Sequence, residues 1–369
     1  MQSDFIPQYT PVFSEASLNT ELVFYIHSKA WITEYKKTEE FENQLKEFLG
    51  VKHCIAVSNG TISLSLALLA LGIKPGDEVL VPNLSMIATA NAVSFIGAIP
   101  IFVDIDKRNL CMDLEEAYKH LSNKTKALIY VTFNGRSNDP SLTEEFCRQY
   151  NLKYISDDAQ SLGSRYEDTS YIGMRGDISS FSFSVPKIIT MGQGGCLVTN
   201  NNELAKKLRY LKDFGRDSGG NDIHNEFGIN SKITDLQAIV GLDQLNDIEK
   251  RIEFKKDLFH KYFTKLFKIK EIEFIDVDLT TYTPWFIEIF CDKRDELLWY
   301  LKENNVGTRK IYSPMSKQLC YKNHFQHKEV FHNTEEVSSR GVWLPSSFNL
   351  TKIDIEYICL KIEEFFNGR

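Results

Sequence analysis

Lys187 is the first residue of this chain whose position suggests chemistry. It follows Pro186 at the end of a stretch in which Phe and Ser alternate, residues 177–187. A lysine held near apolar surface loses its proton more easily, and a neutral amine can form a Schiff base. The alternative is a surface lysine at the end of a strand. Taken alone, Lys187 is compatible with both interpretations.

A second segment places carboxylates after a predicted strand. Asp157, Asp158 and Gln160 come directly after the apolar stretch 152–156. A carboxylate at the carboxyl end of a strand can pair with a protonated ring nitrogen or with a metal ion, and it can equally cap the next helix. These residues alone leave both possibilities open.

A third segment is the turn that contains Asn59, Gly60 and Thr61. It opens the stretch 61–72, which is apolar on nearly every face and therefore predicts a buried helix. A glycine-containing turn at a helix start presents free N–H groups and the positive end of the helix dipole, which suits a phosphate. A plain N-cap turn is the competing interpretation.

The elements that would position these segments have an α/β pattern. Short apolar strands with little polar alternation are separated by helical stretches, which indicates a mostly parallel sheet covered by helices on both faces. Ligands of such sheets lie beyond the carboxyl ends of the strands, so the three segments are expected to meet there. The predicted strands are 54–58, 79–82, 99–105, 127–133 and 152–156.

Three regions are predicted along the chain. Residues 46–250 form the large α/β domain, and residues 251–369 form a smaller α+β domain. Residues 1–45 are expected to pack on the small domain and the cleft. Apolar residues at helical spacing between Leu245 and Leu266 predict one amphipathic helix at the junction.

Composition excludes several classes of protein. The 369 residues include 43 Lys+Arg and 50 Asp+Glu, a formal charge of −7, with 43% hydrophobic residues. This is globular composition, without the basic block that nucleic acids or anionic membranes attract. The seven cysteines are scattered singly, and no apolar run is long enough to span a membrane. We therefore expect a cytoplasmic protein that binds neither nucleic acid nor membrane.

Two other patterns are weak. Cys320, His324, His327 and His332 lie close in sequence, but their spacing matches no standard zinc motif, so no metal site is predicted. The sequence GQGG at 192–195 lacks the spacing of a dinucleotide fingerprint and does not follow the first strand.

Together, the motifs identify a family resemblance. S-N-G-T at 58–61, D-D-A-Q at 157–160, F-S-F-S-V-P-K from 181 and G-I-N-S-K-I-T-D-L-Q-A from 228 resemble the DegT/DnrJ/EryC1/StrS aminotransferases. These are sugar aminotransferases that depend on pyridoxal 5'-phosphate (PLP), with the aspartate aminotransferase-like fold type I. The resemblance covers nearly the whole chain.

The resemblance implies roles for individual residues. Lys187 would form the internal aldimine with PLP and then shuttle a proton, and Asp157 would pair with the pyridine nitrogen and keep it protonated. Asn230 would reach the phosphate from the neighbouring subunit of a homodimer. The other implied cofactor-binding residues are Asn59, Gly60, Thr61, Met86, Gln160 and Ser182, and the implied substrate-binding residues are Trp31, Arg309 and Tyr312.

The implied reaction transfers an amino group, from L-glutamate, to a nucleotide-linked keto sugar such as a 4-keto-6-deoxyhexose. The cofactor would alternate with pyridoxamine 5'-phosphate (PMP), and the product would serve polysaccharide or glycan biosynthesis. Met86 stands where the family usually has an aromatic residue stacked on the cofactor, and the segment from Thr132 to Arg136 also departs from the family pattern.

Three alternatives remain at the level of the sequence. The first is an aminotransferase for a smaller phosphorylated ketone, which the departures at Met86 and at 132–136 leave open. The second is a PMP-dependent sugar dehydratase, in which a histidine commonly replaces the lysine. The third is a non-catalytic regulator, which would be expected to have lost Lys187 or Asp157.

Overall fold

The computed structural model describes residues 5–217, 222–322 and 330–368. Its strands are β1 (His53–Val57), β2 (Glu78–Pro82), β3 (Ile99–Val103), β4 (Thr125–Val131), β5 (Lys153–Asp157), β6 (Ile178–Ser182), β7 (Gly195–Thr199), β8 (Glu288–Phe290), β9 (Arg309–Lys310) and β10 (Gly341–Trp343). Its helices are α1 (Glu15–His27), α2 (Lys36–Leu49), α3 (Gly60–Ala70), α4 (Ala88–Phe95), α5 (Leu114–Lys119), α6 (Pro140–Gln149), α7 (Asn202–Lys212), α8 (Asp235–Asn246), α9 (Ile248–Leu266), α10 (Arg294–Glu303), α11 (His332–Arg340) and α12 (Lys352–Asn367).

Seven strands form a mostly parallel sheet in the order β1-β7-β6-β5-β4-β2-β3. The strands from β6 to β3 in this order run parallel, and β7 runs antiparallel to both of its neighbours. Val131 lies opposite Asp157, and Asp157 lies opposite Ser180, so the carboxyl ends of β4, β5 and β6 meet at one edge. The predicted α/β fold is confirmed.

Helix α3 is buried because it is apolar all round. Leu64, Leu66 and Leu68 lie in the hydrophobic cluster on one face of the large sheet, each at most 2% exposed. The helix ends before Gly72, which takes a left-handed φ of 82° that glycine adopts without strain. Because neighbouring elements bury most of α3, its N-terminus is held at the edge of the sheet.

The second sheet is small and antiparallel, in the order β8-β10-β9. The single helix predicted up to Leu266 is wrong in one respect, because the chain breaks between α8 and α9 at Asp247, where φ is −104° and ψ is 15°. Helix α9 contributes Ile252 to the cluster beneath the large sheet and Leu258 to the cluster beneath the small sheet. A domain boundary near residue 250 stays a prediction.

The N-terminal segment divides between the two parts of the molecule. Ile6 bridges to Val306 and packs in the cluster of the small sheet, whereas Leu18 and Tyr25 of α1 pack against Ile239 of α8. Helix α2 also contacts α8. Among the described residues, none of the helices has the length and the apolar character needed to cross a membrane.

Candidate active site

A cavity of about 290 Å³ lies beyond the carboxyl end of β5, between the two sheets. A larger cavity, about 680 Å³, lies around Arg136 and Arg165 and contains none of the predicted site residues. The smaller cavity is therefore the candidate active site. The predicted residues that line it are Asn59, Gly60, Thr61, Met86, Asp157, Gln160, Ser182, Lys187, Arg309 and Tyr312.

Asp157 is the last residue of β5 and is 6% exposed. Its Oδ2 accepts a hydrogen bond from the Thr89 hydroxyl at 2.8 Å, and its Oδ1 accepts one from the Ala159 N–H at 3.3 Å. Burial raises the pKa of this carboxyl, while the Thr89 hydrogen bond and the charge of Lys187 oppose the rise. The carboxylate is thus held at the base of the cavity with room for a cationic partner.

Lys187 lies on the loop after β6, directly after Pro186. Its Nζ is 3.8 Å from the centroid of the Trp285 ring, and the indole N–H of Trp285 donates to the carbonyl of Pro186 at 2.6 Å. Burial lowers the pKa of Lys187 to about 7, an effect that the nearby Asp157 carboxylate opposes. A substantial fraction of this amine is therefore neutral, and nucleophilic, near pH 7.

A lowered lysine pKa does not by itself mark the site. Burial also lowers the pKa of Lys255 to about 7, but this side chain donates to the carbonyls of Trp285 and Ser346 and does not line the cavity. Lys187 differs because it shares the cavity with Asp157 and with the start of α3. The juxtaposition of the three segments carries the assignment.

The start of α3 forms a wall of the cavity. The Asn59 side chain caps the helix by accepting the N–H of Ile62 at 2.9 Å, so the N-cap interpretation is also correct. The N–H groups of Gly60 and Thr61 lie in the first helical turn, where no intrahelical acceptor exists. A Cβ on Gly60 would lie 2.9 Å from the Cβ of Ser182. Glycine thus lets the helix start approach Ser182, which makes a compact cradle for an anion.

Gln160 is 4% exposed and is fixed by its neighbours. Its Oε1 accepts a hydrogen bond from the backbone N–H of Asn134 at 2.8 Å. Because the carbonyl end of the side chain is committed to this contact, the amide nitrogen is the end that can donate towards the cavity.

Arg309 and Tyr312 come from the small sheet and the loop after it. The Arg309 guanidinium lies 5.7 Å from the centroid of the Tyr312 ring and 5.6 Å from that of Trp343. Arg309 is exposed, and its charge contributes to lowering the pKa of Lys187. An arginine stacked on aromatic rings at a cavity mouth is suited to binding a carboxylate or a phosphate.

Two predicted residues do not line the cavity of the single chain. Trp31 is 67% exposed, and its backbone carbonyl accepts a hydrogen bond from the Tyr25 hydroxyl. Asn230 is exposed and forms a β-bridge with Asp213. Of the four Cys and His residues that lie close in sequence, His324 and His327 are outside the described residues, Cys320 is exposed, and His332 begins α11.

Three further side chains belong to the site. Ser85 and Thr89 share a hydrogen bond of 3.0 Å, and Thr89 continues it to Asp157. Ser85 and Thr89 lie four residues apart, on either side of Met86, and this helical spacing could have indicated in the sequence that they share one face. Trp285 belongs to both the core and the cleft, since it is 2% exposed and lines the cavity.

These residues fit pyridoxal phosphate. The cavity offers an amine of lowered pKa for the aldehyde, a buried carboxylate for the ring nitrogen, and a helix start beside Ser182 for the phosphate. Half-exposed Met86 supplies a thioether that can pack on a ring face. In the ranges 5–217, 222–322 and 330–368, no group of three or more His, Cys, Asp or Glu residues is arranged to hold a metal ion.

Comparison with known proteins agrees with this geometry. Residues 15–363 match the model of the DegT/DnrJ/EryC1/StrS aminotransferase family. The chain is 34% identical to GDP-perosamine synthase of Escherichia coli O157:H7, over 99% of this chain and 100% of the relative. It is 32% identical to the Vibrio cholerae GDP-perosamine synthase, over 91% of this chain and 93% of the relative.

A solved structure shows the same fold. NtdA from Bacillus subtilis, with the cofactor PMP bound, superposes with a TM-score of 0.90 at 25% identity, over 99% of this chain and 85% of NtdA. The family match covers most of the chain, and the residues of the cavity fit the cofactor. The chain therefore belongs to the DegT/DnrJ/EryC1/StrS aminotransferase family and is a pyridoxal phosphate-dependent aminotransferase.

Proposed function

We propose that this enzyme transfers an amino group from L-glutamate to the ketone of a nucleotide-linked keto sugar, such as a 4-keto-6-deoxyhexose, in the cytoplasm. The product would be an amino sugar for surface-polysaccharide or glycan biosynthesis. The observation that carries the proposal is the cavity in which Lys187, Asp157 and the start of α3 meet. The names of the E. coli and V. cholerae relatives favour a nucleoside diphosphate sugar.

Asp157 and Lys187 have different roles in the proposed reaction. Asp157 would hold a proton on the ring nitrogen of the cofactor, because a buried carboxylate with an adjacent cation remains ionised. Lys187 accepts and returns the proton at the substrate carbon, for which a pKa of about 7 is suited. When bound, the cofactor supplies an electron sink for the charge that develops on that carbon.

Other residues hold the cofactor in place. The N–H groups of Gly60 and Thr61, in the turn capped by Asn59, would bind the phosphate together with the Ser182 hydroxyl. Met86 would pack on the ring face, and the Gln160 amide would donate to the ring hydroxyl. These assignments rest on the family resemblance and on the shared position of the side chains around one cavity.

Substrate contacts are assigned to the mouth of the cavity. Arg309 binds an anionic group, either the donor carboxylate or a phosphate of the nucleotide, and Tyr312 lies beside it. Trp31 contacts the substrate only after a second subunit or a moving segment approaches, since it lies outside the cavity of one chain. The exposed position of Arg309 leaves its guanidinium available to a ligand.

We also propose a homodimer in which Asn230 of each subunit completes the phosphate site of the other. Phe214, Ile223, Phe227 and Ile229 are exposed in the single chain, in the same segment as Asn230. Exposed apolar residues concentrated in one segment are typical of a protein interface. A partner that covers this segment would bring Asn230 towards another molecule's site.

The experiment is an amino-transfer assay with PLP, L-glutamate and a nucleoside diphosphate 4-keto-6-deoxyhexose, followed by mass measurement of the sugar product. We expect an aminated sugar nucleotide from the wild-type enzyme and none from Lys187→Ala, whose circular dichroism should match the wild type. Near-normal turnover by Lys187→Ala would refute the mechanism. Amination of a small keto phosphate, with no reaction of the sugar nucleotide, would instead favour the smaller substrate.

A further inference from the structure

A second carboxyl group lies directly after Asp157 and has no place in the mechanism above. Asp158 has no exposed surface. Its Oδ1 accepts hydrogen bonds from the hydroxyls of Ser156 at 2.7 Å and Thr132 at 2.9 Å. Its Oδ2 is buried and has no hydrogen-bond partner among the described residues. An ionised carboxylate with one bare oxygen in such a place is costly.

The groups that face Asp158 cannot compensate a negative charge. They are the Asp157 carboxylate and Tyr154 on β5, Tyr166 on the loop after β5, Ser179 on β6 and Cys196 on β7. The Ser179 hydroxyl lowers the pKa of Asp158 slightly, but it donates its hydrogen bond to the Arg175 carbonyl at 2.9 Å. All are acidic or neutral, and within the described ranges no Lys, Arg or His forms an ion pair with Asp158. Burial raises the pKa of Asp158 to about 7, and the Asp157 charge adds to the rise.

Asp235 is a buried carboxylate like Asp158, but hydrogen-bond donors surround it. It has no exposed surface, but both of its carboxylate oxygens are satisfied. Oδ1 accepts from Tyr35 N–H, Thr38 N–H and the Thr38 hydroxyl, and Oδ2 accepts from the Tyr25 hydroxyl and Lys37 N–H. These bonds lower the pKa of Asp235 despite its burial. Burial alone therefore does not set the protonation state, whereas the number of donors does.

We propose that Asp158 is held in the fold as a neutral carboxylic acid, a positioning residue that leaves Asp157 as the single negative charge beneath the ring nitrogen. As a neutral acid with its proton on Oδ2, Asp158 keeps the two hydroxyl contacts to its carbonyl oxygen Oδ1 and buries no charge. Raising the pH removes its proton to solvent and places two adjacent buried carboxylates at the end of β5. The inference rests on the proposed pairing of Asp157 with the cofactor ring.

The sign of the pH effect follows from linkage. The folded-state pKa of about 7 is higher than the unfolded value of about 3.9, so the neutral acid stabilises the fold most below that unfolded value. The stabilisation is lost as the pH rises towards 7 and is absent above it. Asp158→Asn mimics the neutral acid at every pH and removes this dependence.

The experiment measures Tm of the apo-protein from pH 5 to pH 8 for the wild type, Asp158→Asn and the matched control Asp235→Asn. We expect the wild type to lose about 5 °C relative to Asp158→Asn over this range. Asp235→Asn should instead be destabilised by the same amount at every pH from 5 to 8, because the lowered pKa of Asp235 keeps it ionised over this whole range. A constant difference between wild type and Asp158→Asn across this range would overturn the proposal.

A spectroscopic readout separates this inference from the proposed function. With PLP bound, the visible absorbance is titrated below pH 7, and its midpoint is compared with that of the wild type. The midpoint should shift by less than 0.3 pH unit in Asp158→Asn and by more than one pH unit in Asp157→Asn. A large shift in Asp158→Asn would mean that Asp158 is ionised and would overturn the inference. No shift in Asp157→Asn would overturn the pairing of Asp157, whatever Asp158 does.

If Asp158→Asn fails to fold, infrared spectroscopy of the wild-type apo-protein replaces it. We expect a protonated-carboxyl band that disappears with a midpoint near pH 7, in keeping with the pKa of about 7. Asp158→Ser, which keeps a small polar group, should lack the band. A wild-type protein without such a band at pH 5 would also refute the neutral acid.

Discussion

The Thr89→Val substitution tests the support of Asp157. Valine has nearly the shape of threonine, so the change removes only the two hydrogen bonds of the buried Thr89 hydroxyl, the 2.8 Å bond to Asp157 Oδ2 and the 3.0 Å bond shared with Ser85. A hydrogen bond to a charged group contributes about 1.5–3 kcal/mol. Asp157 would retain the 3.3 Å contact with the Ala159 N–H. We therefore expect a loss of about 2 kcal/mol where Asp157 is ionised.

The pH dependence gives this prediction its sign. The Thr89 hydrogen bond lowers the pKa of Asp157, against the larger effect of burial. Its stabilisation is present above that pKa and is lost as the pH falls through it. The urea midpoint of the Thr89→Val apo-protein should thus lie below that of the wild type at pH 8, and the difference should narrow as the pH falls through the raised pKa of Asp157.

Cofactor affinity provides the second assay. A less well-held Asp157 carboxylate should weaken PLP binding at pH 8 about tenfold, which corresponds to about 1.4 kcal/mol of the lost interaction. Ser85→Ala is the control, because it removes only the 3.0 Å bond between Ser85 and Thr89. Its effect should be about 1 kcal/mol or less and independent of pH. Equal PLP affinity in Thr89→Val and wild type would refute the role of Thr89.

Two further predictions concern the amine and the phosphate cradle. A lysine reagent should label Lys187 of the apo-protein more as the pH rises, with a midpoint near pH 7, because the ammonium loses its proton there. The labelling is best followed in Lys255→Met, which lacks the other lysine of lowered pKa. A midpoint above pH 9 in that variant would contradict the effect of burial on the pKa of Lys187. Gly60→Val should weaken PLP binding at least tenfold, since its Cβ would lie 2.9 Å from Ser182 Cβ. Gly60→Val should also lower Tm, and adding Ser182→Gly, which removes the Cβ in contact, should restore part of that loss. If Tm is not restored, the contact with Ser182 is not the cause of the destabilisation.

The sequence was most informative where local patterns determine structure. The five apolar stretches became β1 to β5, and the buried helix became α3, because strands covered on both faces and a helix that is mostly buried leave a clear apolar pattern. The three chemical segments meet at one edge of the sheet, as parallel strands require. Ten of the predicted site residues line one cavity for this reason.

Other features depended on contacts that no local pattern encodes. The break at Asp247 interrupts an apolar spacing that continues on both sides of it, so periodicity alone predicts one helix. Trp285 meets Lys187 across about a hundred positions of sequence, and the Ser85–Thr89–Asp157 chain joins α4 to β5. Trp31 and Asn230 are exposed in one chain, so their roles depend on a neighbour that a single chain lacks.

The most direct test of the central claim is an absorbance spectrum of the purified protein with added PLP, before and after excess L-glutamate. A lysine-bound electron-sink cofactor should absorb near roughly 410–430 nm, and glutamate should move the band to about 330 nm as the amino group is taken up. Lys187→Ala should not form the wild-type visible band. If the wild-type protein gave no visible band, or if glutamate left the band unchanged, amino transfer from glutamate through Lys187 would be contradicted.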